Sequence, residues 1–223
     1  MAIPTPTAAW NFDNSPGNLV DATGNGYTLT NDGTTLFGSA KINEGPNFTA
    51  SNTKRLVISN NLGSNGSAFS FMIWANPSSL SGSKYIFDFD ALSTNYRHIL
   101  YHSGTSIRFY CKGNEGTGYT ASTGNWYQLV ATRSGTSCKF YVNGSFVSSF
   151  TAGAGGDSSR NEMAVGNTTG ATTAEFNGTL DIAACWAVEL TASEVTELYN
   201  GGAGLQYPYS VANNSGFFLA MAR

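Results

Sequence analysis

Residues 175–202 read EFNGTLDIAACWAVELTASEVTELYNGG and hold the two elements that decide the fold. The first half has the composition of a β-strand and ends at Trp186. The second half predicts a short helix over about 191–200, because Thr191 and Glu194 have the spacing of a capping box. The two glycines that follow, at positions 201 and 202, provide a left-handed stop.

This short helix requires a surface to pack on. Val195, Leu198 and Tyr199 fall at helical spacing and form one apolar stripe. A lone helix of about ten residues is only marginally stable in water. The sequence therefore predicts a helix that is docked on a β-sheet.

Short strand-like runs separated by turns fill the rest of the chain. They recur about every 8–12 residues, as is typical of antiparallel sandwiches. Phe69–Trp74 is apolar on both faces, which predicts a strand in the middle of the sandwich. Asn143-Gly144 predicts a hairpin with a type I′ turn. These features indicate an all-β, antiparallel two-sheet fold with one short helix near its carboxyl end.

The composition excludes several classes of function. Charged residues make up 11% of the 223 residues, less than half of the usual ~25%, and the net charge is -3. Without a basic run, nucleic acid is not expected as a partner. No apolar run approaches the length of a membrane span, and the amino terminus lacks the pattern of a secretory signal.

The three cysteines are widely spaced and predict no metal site. Cys111, Cys138 and Cys185 each lie within an apolar, strand-like run. This placement favours buried free thiols over a disulfide with one spare cysteine.

Five segments resemble a known family when they are taken together in this order. They are AWNFD with DATGNGYTLT, then FSFMIWANP, GNWYQLVATRSG, KFYVNGSFV and FNGTLDIAACWAVELTASEVTELYNGG. The order and spacing, from Ala8 to Tyr207, resemble the laminin-G-like jelly roll of the concanavalin A-like lectin/glucanase superfamily, particularly its microbial and phage branch. The resemblance implies two stacked antiparallel sheets and a role in binding or adhesion, often towards glycans, and it does not imply an enzyme.

The sequence lacks two motifs that related proteins use, one for binding calcium and one for catalysis. Pentraxin-like relatives place an acidic, calcium-binding run where this sequence has Asn167-Thr-Thr-Gly. Glucanase relatives carry their catalytic acids as E-x-D-x-x-E on one strand, and the sequence has no such run. We therefore expect no catalytic residues and no pentraxin-like metal site.

One exposed sheet face, shared by three neighbouring strands, is the predicted binding site for a glycan or a protein partner. Aromatic rings beside hydrogen-bonding groups suit sugars, which present apolar C–H patches edged by hydroxyls. Ordinary cross-strand pairing on a wet surface, or contact with another subunit, would give the same pattern. The candidate residues are Asp88, Asp90, Tyr96, His98, Arg108 and Tyr110, with Tyr119 on the following segment.

The acidic residues and histidines give less support to a catalytic or metal-binding site than to a binding face. Asp88 and Asp90 lie on one strand face with Cα atoms roughly 6.6 Å apart, but both are predicted on an exposed row. His98 and His102 are about 13 Å apart in a strand, which is too far to share an ion. Asp21 could bind a structural calcium with nearby carbonyls, or it could simply organise its own turn. No other cofactor is expected.

These patterns divide the chain into three segments and leave two functions open. Residues 1–7 are predicted to be an extended lead-in, residues 8–207 the jelly roll, and residues 208–223 a tail with a docking function. The first functional hypothesis is a non-catalytic phage virion protein, such as a capsid decoration or fibre module with an adhesive role. The alternative is a carbohydrate-binding module of a secreted or cell-surface protein. The apolar docking residues of the tail are Phe217, Phe218, Leu219 and Met221.

Overall fold

The computed structural model of the chain describes residues 2–13, 19–49, 54–60, 62, 68–89, 97–153, 162–168 and 174–209. These residues form sixteen β-strands, one α-helix and one short 3₁₀ turn. The strands are β1 (Ala8–Trp10), β2 (Thr30–Asp32), β3 (Leu36–Ser39), β4 (Glu44–Phe48), β5 (Arg55–Ile58), β6 (Ala68–Pro77), β7 (Ser83–Phe89), β8 (His98–Ser103), β9 (Ser106–Cys111), β10 (Asn114–Glu115), β11 (Tyr119–Thr120), β12 (Tyr127–Ser134), β13 (Ser137–Val142), β14 (Ser145–Thr151), β15 (Met163–Val165) and β16 (Gly178–Trp186). The helix α1 (Ala192–Tyr199) continues into the 3₁₀ turn Asn200–Gly202.

The described strands pair antiparallel in two eight-stranded sheets. The first sheet has the order β14-β13-β12-β6-β16-β4-β3, with β1 also paired to β16. The second has the order β10-β9-β8-β7-β15-β5-β2, with β11 also paired to β9. The predicted all-β, antiparallel two-sheet fold is confirmed.

The main core lies between the two sheets and is dominated by phenylalanine. Phe71 of β6 stacks on Phe87 of β7 with 5.0 Å between ring centroids, and it makes edge contacts with Phe89 at 5.4 Å and Phe109 at 5.7 Å. All four rings are buried. Phe71 thus connects the central strand of the first sheet to β7 and β9 of the second.

A second apolar layer covers the outer face of the first sheet. Met72 and Trp74 of β6 point into this layer, where Val195 and Leu198 of α1 are buried against the sheet. Tyr199 stacks on Trp74 at 5.8 Å with an interplanar angle of 11°. The strand β6 is therefore buried on both faces, as its sequence predicts, and the helix is docked on the sheet.

The ends of α1 follow the predicted capping chemistry. Thr191 Oγ1 accepts a hydrogen bond from the Glu194 amide at 3.3 Å, and Glu194 Oε2 accepts one from the Thr191 amide at 2.7 Å. The left-handed conformation begins at Asn200, one residue before the predicted glycines. Asn200 can adopt this conformation because its short polar side chain tolerates a positive φ.

The hairpin between β13 and β14 confirms the predicted type I′ turn. Val142 and Ser145 are paired directly, which leaves Asn143 and Gly144 as a two-residue loop. Both have positive φ, 52° and 74°, as this turn requires.

All three cysteines are buried as free thiols, as predicted. Cys111 and Cys138 belong to opposite sheets and both point into the core between them. A hydrogen bond to Cys111, together with burial, raises the pKa of the Cys138 thiol, and burial raises that of Cys185. The reactive thiolate is therefore disfavoured at Cys138 and Cys185.

This burial predicts that the thiols react only after unfolding. In the native protein, an aromatic disulfide reagent such as DTNB should modify none of the three cysteines within minutes. In guanidinium chloride it should modify all three, because unfolding exposes them and restores ordinary pKa values. Stoichiometric release of thionitrobenzoate from native protein would contradict the buried placement.

Described residues on both sides of the predicted boundaries pack on the first sheet. Trp186 Nε1 donates a hydrogen bond to the Pro4 carbonyl at 2.8 Å, and Tyr209 stacks on the Trp186 indole at 6.1 Å. Ile3 joins the same apolar layer. The division at residues 7 and 207 stays a prediction, but these contacts tie residues 3, 4 and 209 to the jelly roll.

Candidate functional site

The outer faces of the two sheets differ in what covers them. The first sheet is overlaid by α1 and by residues near both chain ends. On the second sheet, strands β7, β8 and β9 carry side chains on their outer face that no described helix covers. This face positions most of the predicted site residues.

Three half-buried tyrosines on adjacent strands form the centre of this outer face. Tyr85, Tyr101 and Tyr110 come from β7, β8 and β9, and we call this surface the tyrosine face. The rings of Tyr85 and Tyr101 lie 6.4 Å apart and are inclined by 42°. The three tyrosines, with Ser83, Arg97 and Ile99, line a cavity of about 310 Å³. That volume lies near the lower end of the range for small-molecule sites.

A charged network borders the tyrosine face on the side of β9 and β10. Glu115 accepts a hydrogen bond from Arg108 on one carboxylate oxygen and one from the Tyr101 hydroxyl on the other. Arg108 Nε also donates to Ser106 Oγ at 3.1 Å. Burial, and then the bond to Glu115, raise the pKa of Tyr101, so this phenol stays protonated and keeps donating to the carboxylate.

A second ion pair lies beneath the opposite border. Asp88 is fully buried and accepts two hydrogen bonds from the Arg97 guanidinium, one of them from Nε at 3.3 Å. The Thr168 hydroxyl accepts from Arg97 at 2.6 Å and donates to Asp88. The guanidinium also lies over the Tyr85 ring, 4.9 Å from its centroid, so the ion pair orients that ring.

The structure brings some of the predicted residues together and separates others. Arg108 and Tyr110 lie on the predicted face, and Asp88 lies there too but is buried under Arg97 rather than exposed. The predicted placement of His98 and Tyr119 is wrong, because both point towards the core side of the sheet. His98 packs on Phe69 and its Nε2 accepts from Arg133 at 3.2 Å; Tyr119 packs on Tyr127. Asp90 and Tyr96 lie outside the described residues.

The site also contains residues that the sequence patterns did not indicate: Tyr85, Arg97, Ile99, Tyr101 and Glu115. The pairing of β7 with β8 shifts register between Tyr85 and Phe87, which turns Tyr85 away from the core row. In the next hairpin, Tyr101 is paired with Arg108 and Ile99 with Tyr110. Because paired residues point to the same side, the outward Arg108 and Tyr110 were the signal that could have placed Ile99 and Tyr101 outward.

The buried carboxylate of Asp21 organises its own turn. It accepts hydrogen bonds from the Ala9 amide at 3.1 Å, the Thr23 amide at 3.0 Å, the Thr23 hydroxyl at 2.8 Å and the Tyr27 amide at 3.3 Å. These bonds match the turn-organising interpretation of the sequence. Within the described ranges, no three histidine, cysteine or acidic side chains are grouped so that they could hold a metal ion.

No helix in the described part of the chain is long and apolar enough to cross a membrane. The predicted docking residues Phe217, Phe218, Leu219 and Met221 lie outside the described residues. Their role therefore stays a prediction.

Two stacked antiparallel sheets with a helix docked behind one of them define a jelly roll of the lectin-like type. The chain belongs to the concanavalin A-like lectin/glucanases superfamily, whose laminin-G-type family model matches residues 50–196. The resemblance stated from the sequence motifs is thereby confirmed at the level of the superfamily. No curated protein matches the chain.

Solved structures with this fold include parts of two enzymes and a toxin. Domain 4 of AbnA, an extracellular arabinanase from Geobacillus stearothermophilus solved in complex with arabinotriose, has a TM-score of 0.69 and 22% identity, over 86% of this chain and 97% of that one. The receptor binding domain of botulinum neurotoxin type G has a TM-score of 0.65 and 14% identity, over 88% of this chain and 51% of that one. A Trypanosoma rangeli sialidase has a TM-score of 0.72 and 13% identity, over 91% of this chain but only 34% of the sialidase chain. At these identities the likeness concerns the fold alone.

Proposed function

We propose that the chain is a non-catalytic carbohydrate-binding module and that the tyrosine face is its binding site. The observation that carries this proposal is the cavity of about 310 Å³ lined by Tyr85, Tyr101 and Tyr110. Sugar rings present apolar C–H surfaces that pack on aromatic rings, and hydroxyls that need hydrogen-bonding partners at the edges. Ser83 and Arg108 supply such partners around the tyrosines.

The carboxylates of Asp88 and Glu115 near the cavity are held in ion pairs, which favours a binding role for the protein over a catalytic one. A glycosidase needs two carboxyl groups that flank the scissile bond, one of them able to give up a proton. Asp88 is buried and bonded to Arg97 and Thr168, and both oxygens of Glu115 are occupied by Arg108 and Tyr101. Neither carboxylate is positioned as a free acid or nucleophile beside the cavity.

The comparisons add support that is independent of the site. A domain of similar size and fold has been solved with arabinotriose, which makes a short oligosaccharide a reasonable first ligand to test. The hypothesis of a phage virion component with an adhesive role and a docking tail, made in a host cytoplasm, stays a prediction from the sequence. Glycan binding is compatible with it, and equally with a module of a secreted or cell-surface protein.

Replacing Tyr110 by alanine should weaken glycan binding about tenfold, which corresponds to about 1.4 kcal/mol of lost contact free energy. The ring is half-buried at the surface, so the melting temperature should change little. A glycan array that includes arabinan oligosaccharides would identify a ligand, and calorimetry would then compare the two proteins.

The matched control for this experiment is Phe146→Ala. Phe146 is also an aromatic residue, 56% exposed, but it lies on the first sheet, away from the tyrosine face. This control should retain wild-type affinity. Unchanged affinity in Tyr110→Ala would refute the assignment of the site, whereas failure of the wild-type protein to bind any glycan would refute the proposed function itself.

A further inference from the structure

The charges around the tyrosine face compensate one another within ion pairs. Arg108 is paired with Glu115, and Arg97 is paired with Asp88. Further along the same sheet, Arg55 lies between Asp32 and Glu162, with nitrogen–oxygen distances of 2.8 and 3.4 Å. The described outer face therefore offers no guanidinium in excess over carboxylates.

Recognition of acidic sugars would need such an excess. A carboxylate or sulfate group on a glycan is typically held by a guanidinium that donates two parallel hydrogen bonds. Here Arg97 already makes this kind of contact with Asp88, and its side chain is only 12% exposed. It is held in place below the surface and cannot turn towards a ligand without breaking its buried ion pair with Asp88, which is costly.

Arg108 is paired with Tyr101 across β8 and β9, and its guanidinium is more exposed than that of Arg97. The side chains of Arg108 and Glu115 are 36% and 31% exposed, so a bound sugar would meet both charges at once. An anionic sugar would gain attraction from Arg108 but suffer repulsion from Glu115 at a similar distance. A neutral hydroxyl, in contrast, can accept from the guanidinium or donate to the carboxylate.

We infer that the tyrosine face binds neutral saccharides, and that Glu115 is the specificity-determining residue that excludes saccharides bearing carboxylate or sulfate groups. This inference rests on the proposed function, since it specifies the class of glycan that the same site takes. It also follows that removing the Glu115 charge would release Arg108 as an anion-binding group.

The test compares wild-type protein and Glu115→Gln on matched oligosaccharides. The probes are pairs that differ only in the terminal sugar, such as glucose against glucuronic acid, together with sulfated versions of the neutral member. Wild-type protein should bind each neutral member at least tenfold more tightly than its acidic partner. Glu115→Gln should bind the acidic members about tenfold more tightly than wild type does, so that the ratio of neutral to acidic affinity falls.

A matched control separates the local effect from the change in net charge. Glu189→Gln removes one carboxylate that is paired with Lys139 at 2.8 Å on the first sheet. It alters the net charge by the same amount but lies on the other sheet, so it should leave the preference for neutral sugars unchanged. Thermal unfolding of each variant establishes that it is folded before binding is compared.

Each outcome decides a different point. Wild-type binding of acidic members as tight as that of neutral ones would overturn the inference and leave the glycan-binding function intact. A folded Glu115→Gln variant with no gain for acidic members, or an equal gain in Glu189→Gln, would overturn the role of Glu115. Absence of binding to every probe and every arrayed glycan would overturn the proposed function and the inference with it.

Discussion

We expect the Phe71→Ala variant to unfold with a free energy about 3–5 kcal/mol below that of the wild-type protein. Phe71 is fully buried and its ring contacts Phe87, Phe89 and Phe109 of the opposite sheet. Alanine would remove those contacts and leave a cavity that rigid strands on both sides cannot close. A loss of this size is a large fraction of the 5–15 kcal/mol typical of a whole domain.

The same substitution tests how the core supports the binding surface. Phe87 and Phe109 belong to β7 and β9, whose outer sides carry Tyr85 and Tyr110. Loosening these strands from within should weaken glycan binding as well as stability, even though Phe71 contacts no ligand. Urea unfolding gives the change in stability, and calorimetry at a temperature where the variant is folded gives the change in affinity.

Two further variants make this result specific. Phe71→Leu preserves most of the side-chain volume and should cost less than about 1.5 kcal/mol. Phe146→Ala removes an exposed ring and should change the unfolding free energy by no more than about 0.5 kcal/mol. A loss below about 1 kcal/mol in Phe71→Ala would mean that the two sheets are not held together by this aromatic cluster.

The fold could be predicted from the sequence because its decisive signals are local. The capping box at Thr191 and Glu194, the turn at Asn143-Gly144 and the apolar run of β6 each depend on residues close together in the chain. Such signals do not depend on how distant parts of the chain pack. The resemblance to the superfamily then followed from their order along the chain.

The binding face was predicted less well because it depends on register. A shift of one residue moves every side chain of a strand to the other face, and a bulge has the same effect beyond the point where it occurs. Because the register shifts after Tyr85, this residue lies on the outer face and not in the core row. In β8, Tyr101 lies on the outer face and His98 on the core side, which is the reverse of the predicted arrangement. The network around Glu115 joins residues of three different strands, so no local pattern in the sequence could reveal it.

Asp181 is buried at a bulge of β16, where pairing with β6 shifts register before Ala184. Its carboxylate accepts hydrogen bonds from the Ile42 and Ile182 amides, both at 2.8 Å. Burial nevertheless dominates and raises the pKa of Asp181 from 3.8 to about 8, since the amide bonds only partly offset the loss of hydration. The folded protein therefore holds a proton here that the unfolded chain releases near pH 4.

This linkage sets the sign of a pH dependence. A raised folded-state pKa gives stability that is present at low pH and is lost as the pH approaches 8, by about 1.4 kcal/mol per unit. Burial lowers the pKa of His102, and this group acts in the opposite direction, mainly below its ordinary value of 6.5. Between pH 6.5 and 8, Asp181 therefore contributes most of the difference between these two groups.

We expect the wild-type protein to lose about 1.5 kcal/mol of unfolding free energy between pH 6.5 and 8 through Asp181. In Asp181→Asn this loss should vanish, because the amide does not titrate. The variant should nevertheless be less stable at every pH, since asparagine offers one acceptor oxygen where two amides donate. Urea unfolding at both pH values measures the two slopes, and Asp32→Asn, at an exposed carboxylate paired with Arg55, should keep the wild-type slope. If Asp181→Asn also keeps that slope, Asp181 is ionised in the folded protein at pH 6.5, and its two amide hydrogen bonds outweigh its burial.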